Sequence, residues 1–475
     1  VRVARAAVTL ATLTALSQRI ERAPAVRAIR AAADPVEAVL RRCSAMPMSS
    51  PNASQRRSKA RPLAAALGLL SVTAVGALLF ARAHAHREWP AMTAPLALEP
   101  PAVRADRAAW PAFERAIAAL PPRRDRSALG DAQPDGAGAQ IVARYAEALR
   151  LFDAALTSEA APLLPERAIT DASPDPHFAL IDLARARALT ARIDAANGRP
   201  AEALRVGVQL ASFGARLGQQ TTGWIGVAAA GAIEAHGYRA IASAIEGNAL
   251  AGEAIEGAGR AIDELLAFES PLRRALAGEC RGREQLFESF RGKSAAELLS
   301  TTSLARPTEQ RRGWSLLPVS WVYDADATIA AVRAECRESD ASLRRPRGER
   351  RIAASRGYLE QGGGATLGQW LDNRLGRALL SISDITAQRF VARDDDAYAT
   401  RYTARVALAI AAFRGTHQRL PATLAELAPP ASPQPLPTPR ALTWSAEERT
   451  LRVALGPDAN GSAATAAVAS WRFAQ

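Results

Sequence analysis

Nineteen consecutive residues without a charge, Leu63 to Ala81 (LAAALGLLSVTAVGALLFA), constrain this 475-residue chain more than any other feature. As a helix rising about 1.5 Å per residue, the run reaches roughly 28 Å, close to the hydrocarbon thickness of a bilayer. A helix on the core of a globular domain keeps a polar face over that length, and this one has none. Arg56, Arg57, Lys59 and Arg61 precede it without an acid among them, while Arg82, Arg87 and Glu88 follow. Basic flanks stay on the cytoplasmic side. The run therefore predicts a single transmembrane helix in a bacterial inner membrane. Residues 1–62 form a cytoplasmic basic tail and the body lies on the periplasmic side. The rival is a cleavable signal peptide, because Ala83-His84-Ala85 has the small-x-small form of a cleavage site. The run exceeds the usual apolar core of such a peptide, which favours an uncleaved anchor. The twin Arg56-Arg57 lacks the rest of a twin-arginine pattern and reads as plain basic flank.

Methionine occurs only at 46, 48 and 92. A start at Met46 or Met48 gives the conventional order of a basic segment and then an apolar run. Residues 1–45 then lie upstream of the true start; the alternative is a cytoplasmic amphipathic tail. The net charge of +13 resembles a nucleic-acid signal, but its distribution argues against one. Residues 1–62 hold twelve basic and three acidic side chains, a net of +9, and the other 413 residues carry only +4. That asymmetry is a topology signal, so no nucleic-acid partner is expected.

Beyond a Pro- and Ala-rich linker at 82–103, the body at 104–428 reads as mainly α. Trp110, Phe113, Ile117 and Leu120 recur at helical spacing, as do Ile141, Tyr145, Leu149, Phe152 and Leu156 over a helix at 139–157. Residues 178–217 form a helical hairpin broken at Gly198-Arg199-Pro200, with Gly closing one helix and Pro opening the next. Further helices are predicted at 221–246, 250–268, 271–291 and 323–340, followed by a Gly- and Arg-rich connector at 341–364. A long helical stretch at 366–414 is expected to be interrupted near Asp394-Asp395-Asp396. From 429 to 475 a Pro-rich linker leads into ALTWS, TLRVAL and AVASWRF, three short strands of a small antiparallel β unit.

The candidate sites are few. Cys280 and Cys336 each sit in Glu-Cys-Arg. An exported pair can form a disulfide that tethers the 271–291 and 323–340 helices, with loop entropy putting it at roughly 3–4 kcal/mol; the alternative is two buried thiols. Glu279 and Arg283 interrupt the apolar stripe of Leu272, Leu276, Leu286 and Phe290 at i,i+4 spacing. They are the weak catalytic candidates, and an ion pair is the structural alternative. Arg344, Arg345, Arg347, Arg350 and Arg351 form a basic patch, suited to anionic headgroups or an acidic partner if it is not simply a solvated loop. Arg291-Gly292-Lys293-Ser294 imitates the end of a phosphate loop, but Phe287 holds the place of the required glycine. The five histidines are scattered, and no zinc-binding His pair or Gly-x-Ser-x-Gly elbow occurs. Asp458 and Asn460 in GPDANG suit a β-turn better than a calcium loop. No metal and no cofactor are expected.

Two stretches carry a family resemblance. NGRPAEAL resembles the turn of a tetratricopeptide hairpin. RVALAIAAFRGTHQRLPATLAELAPP, followed by LTWSAEERTLRVALGPDANG, is similar to the C-terminal end of type II secretion pseudopilins. Phe413, His417, Arg419, Pro421, Leu424, Leu427 and Pro429 fill that frame, while Gln418 stands where the usual glycine belongs. A pseudopilin places its apolar helix directly before this end. Here about 320 residues intervene and no pre-pilin cleavage site is present, so the chain departs from that family. Over residues 105–461 it resembles bacterial proteins with an N-terminal anchor, a helical middle and this same tail. The resemblance implies architecture and an envelope location, and brings no activity. The expectation is an anchored, non-catalytic interaction or scaffold module with an envelope protein as partner. The alternatives are an envelope enzyme with a dispersed site near Glu279 and an accessory component of a secretion system.

Overall fold

The computed structural model of the chain describes residues 75–87, 110–122, 126–130, 132–157, 175–246, 250–294, 297, 323–352, 372–373, 375–377, 380, 387–427, 436, 441–453 and 469–473. The protein is mainly helical with a small three-stranded antiparallel sheet. The tail at 1–62, most of the apolar run (63–74), residues 88–103, Pro429, Asp458 and Asn460 lie outside the described residues. Among the described residues no helix is long and apolar enough to cross a membrane. Residues 75–86 are helical, so the helix continues past Ala81 instead of giving way to a linker at 82.

The chain divides into two compact units. The larger comprises Ala97–Gly282, Cys336–Ile352 and Thr386–Gln475, and the smaller Val1–Leu96, Arg283–Glu335 and Ala353–Ile385. The larger unit opens with α1 (Trp110–Ala118), α2 (Gly136–Ala143) and α3 (Ala146–Leu156). Asp135 caps α2 by accepting the Gly138 N–H. The single helix predicted over 139–157 is thus two. Tyr145 N–H bonds to the Val142 carbonyl in a tight i→i−3 turn, and the Tyr145 ring goes into the core.

Next come α4 (Asp175–Ala196) and α5 (Pro200–Gln220). Between them Gly198 takes φ +81°. The Arg199 N–H then reaches back to the Asp194 carbonyl and the Gly198 N–H to that of Ala195. These are the two bonds of a Schellman closure, which needs a residue tolerant of the left-handed region. Pro200 starts α5, where its missing N–H costs nothing. α6 (Trp224–Ile245) runs back along α5 in backbone contact. A Cβ on Gly214 would come within 2.6 Å of the Glu234 nitrogen, and one on Gly237 within 2.5 Å of the Ala211 nitrogen. Small residues at these crossings let dispersion contacts form along the whole helix pair.

α7 (Gly252–Leu266) and the 31-residue α10 (Ala387–His417) complete the helical layer. The unit also holds the first part of α8 (Leu272–Glu288) and the last part of α9 (Ala325–Leu343). One continuous apolar core joins α1 to α7 and α10. At its centre Phe113 stacks on Phe213 at 5.1 Å, and Phe152 meets both edge-on. The sheet, in order β1 (Leu442–Ser445), β2 (Thr450–Val453), β3 (Ala469–Arg472), is antiparallel throughout, with Leu451 opposite Trp444 and Trp471. It contributes Leu451, Trp471 and Phe473 to the core beside α10.

Candidate functional site

Glu279 lies on α8, and its Oε1 accepts the backbone N–H of Trp224 at 2.9 Å. That N–H opens α6, whose own N-cap residue, Gly223, has no side chain with which to cap it. Glu279 therefore supplies a cap from a neighbouring helix, where a carboxylate also suits the positive end of the α6 dipole. Gly278 makes the approach feasible, because a Cβ there would stand 1.7 Å from the Thr222 carbonyl. Arg283 binds Glu335 at 2.9 Å. Each member of the proposed i,i+4 pair thus serves a different partner, distant in sequence. Between them in the chain, Cys280 is bonded to Cys336 with an S–S distance of 1.98 Å.

The basic patch is not one surface. Arg344, Arg345 and Arg351 are exposed, whereas Arg347 and Arg350 are buried. Arg347 pairs with Asp394 and lies over the Tyr398 ring, 4.6 Å from its centroid. Arg350 reaches the same carboxylate at 3.3 Å, and Ser270 donates to it at 2.9 Å. Asp395 accepts the Gly348 N–H at 3.2 Å. Burial and the neighbouring Arg347 lower the pKa of Arg350, against the pull of the two aspartates. This cluster explains why α10 runs unbroken through Asp394-Asp395-Asp396. Asp394 and Asp395 are buried partners of the 347–350 turn and do not act as a helix break.

A second buried pair crosses the larger unit. Arg401 on α10 grips Glu234 on α6 with both ends of its guanidinium, at 2.6 and 3.0 Å, and donates to the Leu265 carbonyl at 3.1 Å. Tyr238 donates to the same carboxylate at 2.9 Å. Burial works against the Arg401 charge, and Glu234 more than offsets it, so its pKa rises. Burial and then Glu234 push the Tyr238 phenol well above its ordinary value. The carboxylate accepts three hydrogen bonds, which suits a structural tie rather than a general base.

No protein-family model, no curated protein and no solved structure matches this chain.

In the smaller unit, Asp372 and Arg377 are completely buried and pair at 3.1 Å. Asn373, at φ +48°, ties the start of α9 by accepting the Asp324 N–H and donating to Thr328, both at 2.8 Å. Arg333 pairs with Glu284, and Arg291 with Glu288 and Asp326. The phosphate-loop imitation follows α8 as a turn, with Gly292 at φ +77°. Glu297 takes both the N–H and the hydroxyl of Ser294 there. Among the described residues, no three His, Cys, Asp or Glu side chains are grouped to hold a metal.

His84 and His86 end the 75–86 helix, His177 is near the start of α4, and His236 is buried on α6 beside Arg239. His417, at the end of α10, lies 4.2 Å from the Phe413 ring, over which Arg419 also sits. Arg419 pairs with Glu426, which closes a capping box with Thr423. The Pro421 carbonyl accepts Trp444 Nε1–H at 3.0 Å and so fastens the frame to β1. Sequence pattern missed the Glu234–Arg401, Arg347–Asp394 and Asp372–Arg377 pairs. In the first two the partners stand 167 and 47 residues apart.

Proposed function

We propose that this chain is a single-pass protein of the bacterial inner membrane whose periplasmic helical body serves as a non-catalytic interaction or scaffold module, with another envelope protein as its partner. The observation that carries the reading is the uncharged run at 63–81, with +9 of the chain's +13 charge placed before it. The Cys280–Cys336 bond supports it, since disulfides persist in oxidising compartments. The buried Glu234 and Asp394 carboxylates each engage three guanidinium or hydroxyl donors, which favours a structural role over acid–base chemistry.

The test is fractionation of cells producing the full chain, with protease added to intact cells and to spheroplasts. The expected outcome is a chain that sediments with membranes, resists salt and alkaline washing, and loses its body to protease only after the outer membrane is opened. The detergent-extracted chain is expected to migrate in a native complex larger than its monomer. Recovery of the chain in the cytosol would end the proposal.

A further inference from the structure

The part of the apolar run that belongs to the described residues does not end in a loose tether. Val75, Leu79 and Phe80 are 55, 49 and 75 % exposed on the 75–86 helix, whereas Ala85, one turn on, is 2 % exposed. The end of the helix is held by Asp372, whose side chain has no solvent exposure. His86 Nδ1 lies 3.1 Å from Asp372 Oδ1, and Arg82 Nε lies 3.7 Å from the same oxygen. The other oxygen pairs with Arg377, itself fully buried. Arg377 also donates to the Ala85 carbonyl at 3.0 Å. The last turn of the helix thus supplies two side chains and one carbonyl to a buried charge cluster.

That turn contains Ala83-His84-Ala85, the small-x-small sequence of a signal-peptide cleavage site. Cleavage after Ala85 would remove Arg82 from Asp372 and remove the carbonyl that accepts from Arg377. The new ammonium group of His86 would then face the Arg377 guanidinium where an acceptor had been. Arg377 would keep Asp372 but lose one of its acceptors and gain a like charge beside it, a costly change for a fully buried guanidinium.

We propose that the anchor is retained after export and that its final turn, clamped by Asp372 and Arg377, is an integral part of the smaller unit. This unit is thereby seated on the bilayer, with lipid hydrocarbon covering Val75, Leu79 and Phe80. The inference rests on the membrane reading above. Lipid is the occupant because these side chains continue the uncharged run from Leu63, which is long enough to span a bilayer.

The test uses the full chain in cell membranes. The N-terminus of the body is sequenced, and the rate of tryptic cutting at Arg87 is compared in spheroplasts of the wild type, Arg82→Gln and Asp372→Asn. The expected result is a membrane-bound chain still carrying 63–81, with cutting at Arg87 at least tenfold faster in both variants. Arg82→Gln alters a partly exposed member of the cluster, so it remains informative if Asp372→Asn does not fold. A soluble periplasmic body beginning at His86 would overturn retention while leaving export intact. A membrane-bound chain cut at Arg87 equally fast in all three forms would overturn the clamp. An intact chain in the cytosol would remove the membrane reading and this inference with it.

Discussion

At the scale of single residues, His236 makes the sharpest demand on the fold. It is buried on α6, with Arg239 Nη1 3.3 Å from its Nδ1. Burial first, and then the charges of Arg239, Arg185 and Arg192, lower its pKa to about 3. An unfolded histidine titrates near pH 6.5 (about that value in model peptides). Between those values the unfolded chain takes up a proton that the folded chain refuses, so stability falls as the pH drops through this window. The contribution is complete above about pH 6.5, and about 2 kcal/mol of it is lost between pH 7 and 5. Carboxylates elsewhere add their own dependence at the acid end. The comparison is therefore between wild type and His236→Gln, by urea unfolding at pH 7, 6 and 5. The wild type is expected to lose about 2 kcal/mol more than the variant over that range. Parallel curves would mean that the folded state accepts the charge.

Among the elements, the end of α10 carries a backbone conformation that its sequence does not suit. Gln418 has φ +54°, in the left-handed region, just past the last helical residue. Gln418→Gly is expected to raise stability by about 0.5–1 kcal/mol, and Gln418→Val to lower it, both read from unfolding midpoints. The exposed bond from Gln418 to the Gly415 carbonyl offsets little of this. The contrast between positions 198 and 418 shows what local sequence conveys. NGRP declares its turn, because glycine and proline act on their own backbone and the pattern is complete within four residues. At 418 the conformation is set by the chain around it, and glutamine gives no sign of it. The α-rich body, the 198–200 hairpin and the three strands were legible for the first reason. The Glu234–Arg401 and Arg347–Asp394 clusters were not, because their partners lie far apart in sequence. Arg347 and Arg350 looked like a surface patch, and Asp394-Asp395-Asp396 looked like a helix break. They are two halves of one buried cluster, each misread in the other's absence. Glu279 and Arg283 illustrate the converse, since helical i,i+3 and i,i+4 spacings suggest a partnership that more distant groups, here Trp224 and Glu335, take over.

For the molecule as a whole, one covalent bond links the fold to the compartment in which it forms. Cys280 and Cys336 stand 56 residues apart, and their bond closes the loop that contains Arg283–Glu335 of the smaller unit. Closing a loop of that length lowers the entropy of the unfolded chain by an amount worth about 4 kcal/mol. Replacing both cysteines with serine is expected to lower the stability of the body by up to about that amount in denaturant titrations under oxidising conditions. Wild type treated with reductant should move to the same midpoint as the double variant. The same residues report topology, because the third cysteine, Cys43, precedes the apolar run. A bulky maleimide added to denatured whole cells without reductant should leave Cys280 and Cys336 unmodified if the body has been exported and oxidised. Prior reduction should expose both. Modification of Cys43 then shows whether residues 1–45 are made at all, since a chain begun at Met46 or Met48 lacks that thiol. Labelling of Cys280 and Cys336 without reduction would show that the body never met an oxidising compartment. In that event the charge asymmetry around 63–81 would need an explanation other than export.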